Sequence, residues 1–164
     1  MRPTSRLLIA GAVIGATLLG SSATAIAEST ETPPSAVEDF DYPQADKIFE
    51  ERGIKLKRGD GHITLATCDD RPGLVEVYAR HMDPKDKIGK GHFCFRVTGN
   101  AGYLSLELPS VYTAKGNDYA VNLNMITADS EKSFSLEKDQ WTSVGETTDP
   151  GEREFTLLEI VAKK

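Results

Sequence analysis

Apolar residues fall at every second position through most of this chain, and that pattern limits its possible folds more than any other feature. The stretches that show it are 62–68, 74–80, 92–97, 103–108, 119–125, 134–136 and 155–161. Successive side chains of a β-strand leave opposite faces of the sheet. A period of two therefore predicts strands that each have one apolar face.

The segments between these stretches have the composition of turns. They contain the Gly, Asn, Asp and Pro residues that turns require, as in "DDRPG", "TGNAG" and "TDPGE". Short strands at this spacing indicate an all-β fold with two antiparallel sheets packed face to face, or a closed barrel. We favour an antiparallel two-sheet β-sandwich of the jelly-roll or Ig-like kind, with Val121, Leu123 and Met125 in its core.

Two local departures from this pattern are expected. Residues 45–52, "ADKIFEER", predict one short helix near the start of the domain, and Gly53 ends it. In the last stretch, Leu157 and Leu158 are adjacent apolar residues that break the alternation, which predicts a β-bulge.

The N-terminal 43 residues divide into two expected segments. Residues 1–27 resemble a signal peptide, with a positive start, an apolar run of about 14 residues and the small-residue ending "AIA". The run is shorter than the roughly 20 residues of a spanning helix, so we expect a secreted, extracellular protein without a membrane anchor. Residues 28–43 are acidic and rich in Ser, Thr and Pro, which predicts a flexible leader. Residues 44–164 are expected to form a single domain.

The charge of the exported chain restricts its partners. Removing 27 of the 164 residues, two of them arginines and none acidic, leaves 137 residues with 17 basic and 25 acidic side chains, a net charge of −8. That sign repels nucleic acid and anionic membranes. The expected partner is an extracellular polymer or protein.

The two cysteines, Cys68 and Cys94, predict a disulfide because paired cysteines in an exported chain are normally oxidised. Closing the loop between them would stabilise the fold by roughly 3–4 kcal/mol. A metal site with His62 or His92 is the rival interpretation, but each cysteine stands alone, without a C-x-x-C pair. Both cysteines share parity with polar residues, so the bridge is expected at a sheet edge or a strand end.

The stretch Arg58-Gly59-Asp60-Gly61 lies between two predicted strands. Its two glycines suit a tight turn, and we predict a β-hairpin connection there. The Arg-Gly-Asp tripeptide also matches an adhesion motif that integrin-type receptors bind. Matches of three residues arise readily by chance, so we favour the turn.

No catalytic motif stands out. The chain has no G-x-S-x-G, H-E-x-x-H or G-x-x-x-x-G-K-[ST] motif, so we favour a non-catalytic protein over an enzyme. The alternative is a small hydrolase in which His62 and His92 lie on one face with Asp60, Asp69 or Asp70 as acid–base partners.

No cofactor is expected, and a calcium site is the alternative. Asp69-Asp70 and the segment Asp83 to Asp86 place carboxylates in loops, as extracellular calcium sites do. The neighbouring Lys85 and Lys87 would oppose a cation.

We predict a non-catalytic binding site on a solvated sheet face. Its candidate residues are Tyr78, Tyr103, Asn122, Asn124 and Trp141. Aromatic rings stack on apolar faces of sugars or peptides, and asparagine side chains both donate and accept hydrogen bonds. Trp141 is a candidate on this face, but for this residue we favour a place in the core. A third functional class is an inhibitor that presents residues 110–116, "SVYTAKG", as a rigid loop.

Two segments, "ADKIFEERGIKLKRGDGHITLATC" and "FCFRVTGNAGYLSLELP", resemble small secreted proteins of filamentous actinobacteria. The resemblance extends from about Ala45 to the end of the chain. It implies an exported, single-domain protein and assigns no site residues.

Overall fold

A computed structural model of the chain describes residues 39–69, 72–82 and 84–164. The signal peptide predicted at 1–27 and most of the leader predicted at 28–43 lie outside them. None of the helices among these residues is long and apolar enough to cross a membrane. One α-helix, α1 (Ala45–Arg52), and one 3-10 turn, Gly145–Thr148, accompany the strands. The strands are β1 (Phe40–Asp41), β2 (Lys55–Gly59), β3 (Ile63–Ala66), β4 (Leu74–Ala79), β5 (His92–Val97), β6 (Ala101–Leu108), β7 (Val111–Lys115), β8 (Ala120–Ile126), β9 (Glu131–Leu136), β10 (Trp141–Ser143) and β11 (Thr156–Lys163).

The strands form two antiparallel sheets. The six-stranded sheet has the order β1-β2-β6-β11-β8-β9, and the five-stranded sheet has the order β10-β7-β4-β5-β3. Every strand pair in both sheets is antiparallel. The predicted all-β, two-sheet sandwich is thereby confirmed.

The core lies between the two sheets and contains one parity of each central strand. Leu104, Leu106 and Leu108 of β6 are each 0 % exposed, whereas the alternate residues Tyr103, Ser105 and Glu107 are half-buried. Val121, Leu123 and Met125 of β8 are buried in the same way. Burying each large apolar side chain is favourable by about 1.5–3 kcal/mol. The alternation therefore determines which side chains form the core of the sandwich. Burial of these side chains is the main stabilising contribution to the fold.

The predicted helix and bulge are both present. Helix α1 ends at Gly53, whose φ of 70° is in the left-handed region and whose N–H donates to the carbonyl oxygen of Phe49. In β11 the pairing register with both neighbouring strands shifts between Leu157 and Glu159. The extra residue, Leu158, is half-buried while Leu157 is in the core.

Two of the sequence predictions near the N-terminus are wrong. Residues 60–62 do not join a hairpin, because β2 belongs to the six-stranded sheet and β3 to the five-stranded sheet. They carry the chain between the sheets, with Gly61 at a φ of 79°. The leader does not extend to residue 43, because β1 pairs with β2 and the Tyr42 hydroxyl accepts a hydrogen bond from the Leu65 N–H at 2.8 Å.

The disulfide joins Cys68 to Cys94, as predicted. Cys68 follows β3, which is an edge strand, and Cys94 is in the neighbouring strand β5. The bridge therefore lies at a sheet edge, just beyond the end of β3. This agrees with the prediction made from the position of both cysteines among the polar residues of the alternating pattern.

A buried ion pair attaches α1 to the loop before β5. The Asp86 carboxylate accepts hydrogen bonds from Arg52 Nε at 2.7 Å and from the backbone N–H groups of Ile88, Gly89 and Gly91 at 2.8–3.1 Å. Burial raises the pKa of Asp86, but the hydrogen bonds from Arg52 and from the backbone outweigh burial, so the pKa is lowered. This carboxylate holds the loop in place.

A second buried carboxylate makes the fold sensitive to acid. Asp149 accepts hydrogen bonds from Arg153 Nη2 at 2.8 Å and Nε at 2.9 Å, and Lys132 Nζ lies 3.5 Å away. These contacts, chiefly the hydrogen bonds from the Arg153 side chain, lower the pKa of Asp149 below its ordinary 3.8. A lowered pKa in the folded state contributes stability above about pH 4 that is lost as the pH falls.

We expect the melting temperature to fall as the pH is lowered below about 4, and we expect Asp149→Asn to fall less steeply over that range. The measurement is calorimetry across the acid range for both proteins. Equal slopes for wild type and Asp149→Asn would contradict the role given to this carboxylate.

Candidate functional site

Four aromatic side chains meet on the outward face of the five-stranded sheet, and we call them the aromatic patch: Tyr78, His92, Tyr112 and Trp141. The Tyr78 ring stacks on the His92 ring, with centroids 4.2 Å apart and an interplanar angle of 5°. Its centroid also lies 5.4 Å from the centroid of the Trp141 ring and 6.3 Å from that of the Tyr112 ring. Tyr78 is therefore the centre of the patch.

Strand register brings these rings together. Tyr78 of β4 is directly opposite His92 of β5 and Thr113 of β7. Residues directly opposite on neighbouring strands point to the same face. The β4–β7 register shifts after Tyr78, so Tyr112 is an extra residue that joins Thr113 on the half-buried outward side.

Trp141 gives the patch its most exposed ring. Its side chain belongs to the short edge strand β10, opposite Lys115, and the residue is 50 % exposed. The expectation that Trp141 lies in the core is therefore wrong. A tryptophan left in water on a sheet face offers a large apolar surface to a ligand.

The charged groups around the patch are paired. Glu76 contacts His92 Nε2 at 2.9 Å and Lys115 Nζ at 3.4 Å. Lys115 Nζ in turn lies 6.0 Å from the centroid of the Trp141 ring. Glu76 and Lys115 carry opposite charges, so this pair adds no net charge beside the patch.

A polar hollow continues the face beyond Tyr112. The Arg80 guanidinium lies 4.6 Å from the centroid of the Tyr112 ring and forms an ion pair with Glu146 at 2.9 Å. Arg80 and Glu146 line a cavity of about 280 Å³ together with Thr147 and Glu152. The aromatic rings thus adjoin a site rich in hydrogen-bonding groups.

The Tyr78 hydroxyl stays protonated at neutral pH. Burial raises the pKa of Tyr78, and the negative charge of Glu76 and the neighbouring Tyr112 raise it further. A neutral phenol both donates and accepts hydrogen bonds. Tyr78 therefore presents a hydroxyl as well as a ring edge.

The other three predicted site residues lie on the opposite side of the sandwich. Tyr103, Asn122 and Asn124 are on the outward face of the six-stranded sheet, so the five predicted residues do not form one surface. Glu159 accepts hydrogen bonds from the Tyr103 hydroxyl at 3.1 Å and from Asn124 Nδ2 at 2.8 Å. Asn122 Oδ1 accepts one from Ser135 at 2.6 Å. These polar groups are already paired with each other across the strands.

The sequence missed Tyr112 and His92 as members of the patch. The inhibitor loop expected at 110–116 contains Tyr112, but residues 111–115 form β7, which lies between β4 and β10 in the sheet. No inhibitor loop exists at that place. Tyr112 and Thr113 are adjacent in sequence, and only the register shift against β4 shows that both lie on the outward side.

The predicted pairing of His62 with His92 is also wrong. In the antiparallel β3–β5 pair, Ile63 is opposite Val97 and the Thr98 N–H donates to the His62 carbonyl oxygen. His62 and His92 are therefore at opposite ends of β5, roughly 20 Å apart along the strand.

The described residues support neither the Cys/His metal site nor the calcium site. Cys68, His92 and Cys94 have ligand atoms within 4.8 Å of one another, but both sulfurs are in the disulfide and offer no thiolate. Asp86, considered for calcium, is occupied by Arg52 and backbone N–H groups. Asp70 and Asp83 are outside the described residues.

No protein-family model matches the chain, and no curated protein matches it in sequence.

Proposed function

We propose that the protein is exported and acts as a non-catalytic binding protein, with the aromatic patch as its binding site and a neutral extracellular polysaccharide as its ligand. The observation that carries the proposal is the half-exposed ring of Trp141 beside the Tyr78 ring on a sheet face. Aromatic faces stack on the C–H surfaces of sugar rings, and solvent-exposed rings are otherwise unfavourable. The disulfide fits an oxidising compartment.

Charge supports a neutral ligand. Glu76 is paired with Lys115, and Arg80 is paired with Glu146, so neither cation is left uncompensated for an anionic polymer. The same groups, with the Tyr78 hydroxyl, can hydrogen-bond to sugar hydroxyls. A ligand with many hydroxyls, apolar ring faces and no charge matches these features.

The test is a depletion assay with insoluble cellulose, chitin and β-glucan. We expect wild-type protein to be depleted by at least one of these polymers, and we expect Trp141→Ala to weaken that binding by roughly 30-fold, as the loss of an aromatic hot spot would. The matched control is Tyr103→Ala with Asn122→Ala on the opposite face, which should bind as wild type does. The proposal fails if the control loses binding while Trp141→Ala retains it. Retention of wild type by a protein from the producing culture, with none by any polysaccharide, would make the ligand a protein instead.

A further inference from the structure

The two sulfurs of the disulfide have different surroundings. Cys68 is half-buried and lines a cavity of about 520 Å³, whose apolar wall includes Ile48, Leu65 and Ile88. Cys94 is 1 % exposed and does not line that cavity. A cavity of this size is within the range of small-molecule sites. One sulfur is therefore open to a small reagent while the other is shielded.

The shielded sulfur has a hydrogen-bond donor beside it. His92 Nε2 is 3.5 Å from Cys94 Sγ and 2.9 Å from Glu76 Oε2. An ionised carboxylate only accepts hydrogen bonds, so Nε2 carries a hydrogen. The stacked Tyr78 ring keeps the imidazole in this position. A thiolate formed at Cys94 would therefore be next to an N–H group.

We propose that the Cys68–Cys94 disulfide exchanges with low-molecular-mass thiols in the folded protein, with Cys68 Sγ attacked from the cavity and Cys94 Sγ as the leaving group. A thiolate forms a new S–S bond to Cys68 as the Cys68–Cys94 bond breaks, and the electron pair of that bond goes to Cys94. The Nε2–H of His92, which is hydrogen-bonded to Glu76 Oε2 at 2.9 Å, is shared with the departing thiolate 3.5 Å away. A second thiolate then attacks the sulfur of the bound thiol, which releases the oxidised thiol and leaves Cys68 as a thiolate. Electrons balance because the added thiol is oxidised as the protein is reduced.

Leaving-group stability controls the rate of thiol–disulfide exchange. A hydrogen bond to a charged group is worth more than one between neutral groups. In this structure the hydrogen-bond donor lies beside Cys94, which favours Cys94 as the leaving group. The cavity gives a small thiol access to Cys68. These two observations determine which sulfur is attacked and which one leaves, and they do not depend on the polysaccharide proposal.

The first test maps the sulfur that is attacked. Native wild-type protein is mixed with reduced glutathione, and the reaction is quenched in acid. The protein is then unfolded in the presence of a maleimide, which labels free thiols, and the modified cysteines are mapped by mass spectrometry. We expect glutathione on Cys68 and maleimide on Cys94. Glutathione on both cysteines equally, or on Cys94, would overturn the proposal. So would a reduction rate equal to the rate of global unfolding, because the bridge would then react only in the unfolded chain.

The second test measures the contribution of His92. His92→Phe keeps a ring to stack on Tyr78 and removes the N–H donor. We expect its rate constant for reduction by glutathione to fall about 10-fold or more relative to wild type. The matched control is His62→Phe, at the other end of the same strand pair, which should react at the wild-type rate. Equal rates for His92→Phe and wild type would remove His92 from the step.

Discussion

Replacing Asp86 by alanine is expected to lower the free energy of unfolding by about 3–5 kcal/mol, as measured by chemical denaturation. The Arg52 guanidinium, whose side chain is 11 % exposed, would be left without its carboxylate. The backbone N–H groups of Ile88, Gly89 and Gly91 would lose their acceptor at the same time. The unpaired buried charge is costly, and so is the Gly91 N–H, whose hydrogen bond is buried.

The control for this variant is Glu50→Ala. Glu50 is an exposed acid on the same helix as Arg52, and its loss should change stability by no more than about 0.5 kcal/mol. A similar small effect for Asp86→Ala would show that the carboxylate does not hold the loop before β5.

Replacing Leu123 by alanine is expected to lower the free energy of unfolding by about 2–5 kcal/mol. Leu123 is 0 % exposed in the middle of β8, so the truncation removes buried surface and leaves a cavity. Asn122, its neighbour in sequence, points to the opposite face and makes one side-chain hydrogen bond to Ser135. Asn122→Ala should therefore cost about 1 kcal/mol or less.

The comparison of these two adjacent positions tests the alternation itself. Denaturant midpoints for both variants, at equal denaturant dependence, give the two free-energy changes. If Asn122→Ala were the more destabilising change, the side of β8 that faces the core would have been assigned incorrectly.

The sequence was sufficient to predict the sandwich because burial of one parity is a local property of each strand. Leu104 and Leu123 show it within their own stretches, and the break at Leu157 and Leu158 locates the bulge in β11. The disulfide could be predicted equally well, because a chain with two cysteines allows only one intramolecular pairing.

The sequence was not sufficient to assemble the site, because parity does not say which sheet a strand joins. Tyr78 and Tyr103 both have outward parity, yet β4 and β6 belong to different sheets and the two rings face opposite directions. The error over His62 has a similar cause. Cys94 lies near the start of β5 and not at its far end, so antiparallel pairing separates His62 from His92.

Trp141 is the only tryptophan in the chain, so its intrinsic fluorescence reports directly on the aromatic patch. The measurement is a titration of wild-type protein with soluble oligosaccharides from whichever polymer depletes it from solution. We predict a saturable shift of the emission to shorter wavelength as a sugar ring covers the half-exposed indole. Saturable binding of the same oligosaccharide by calorimetry, with the Trp141 emission unchanged, would contradict the assignment of this face as the binding site.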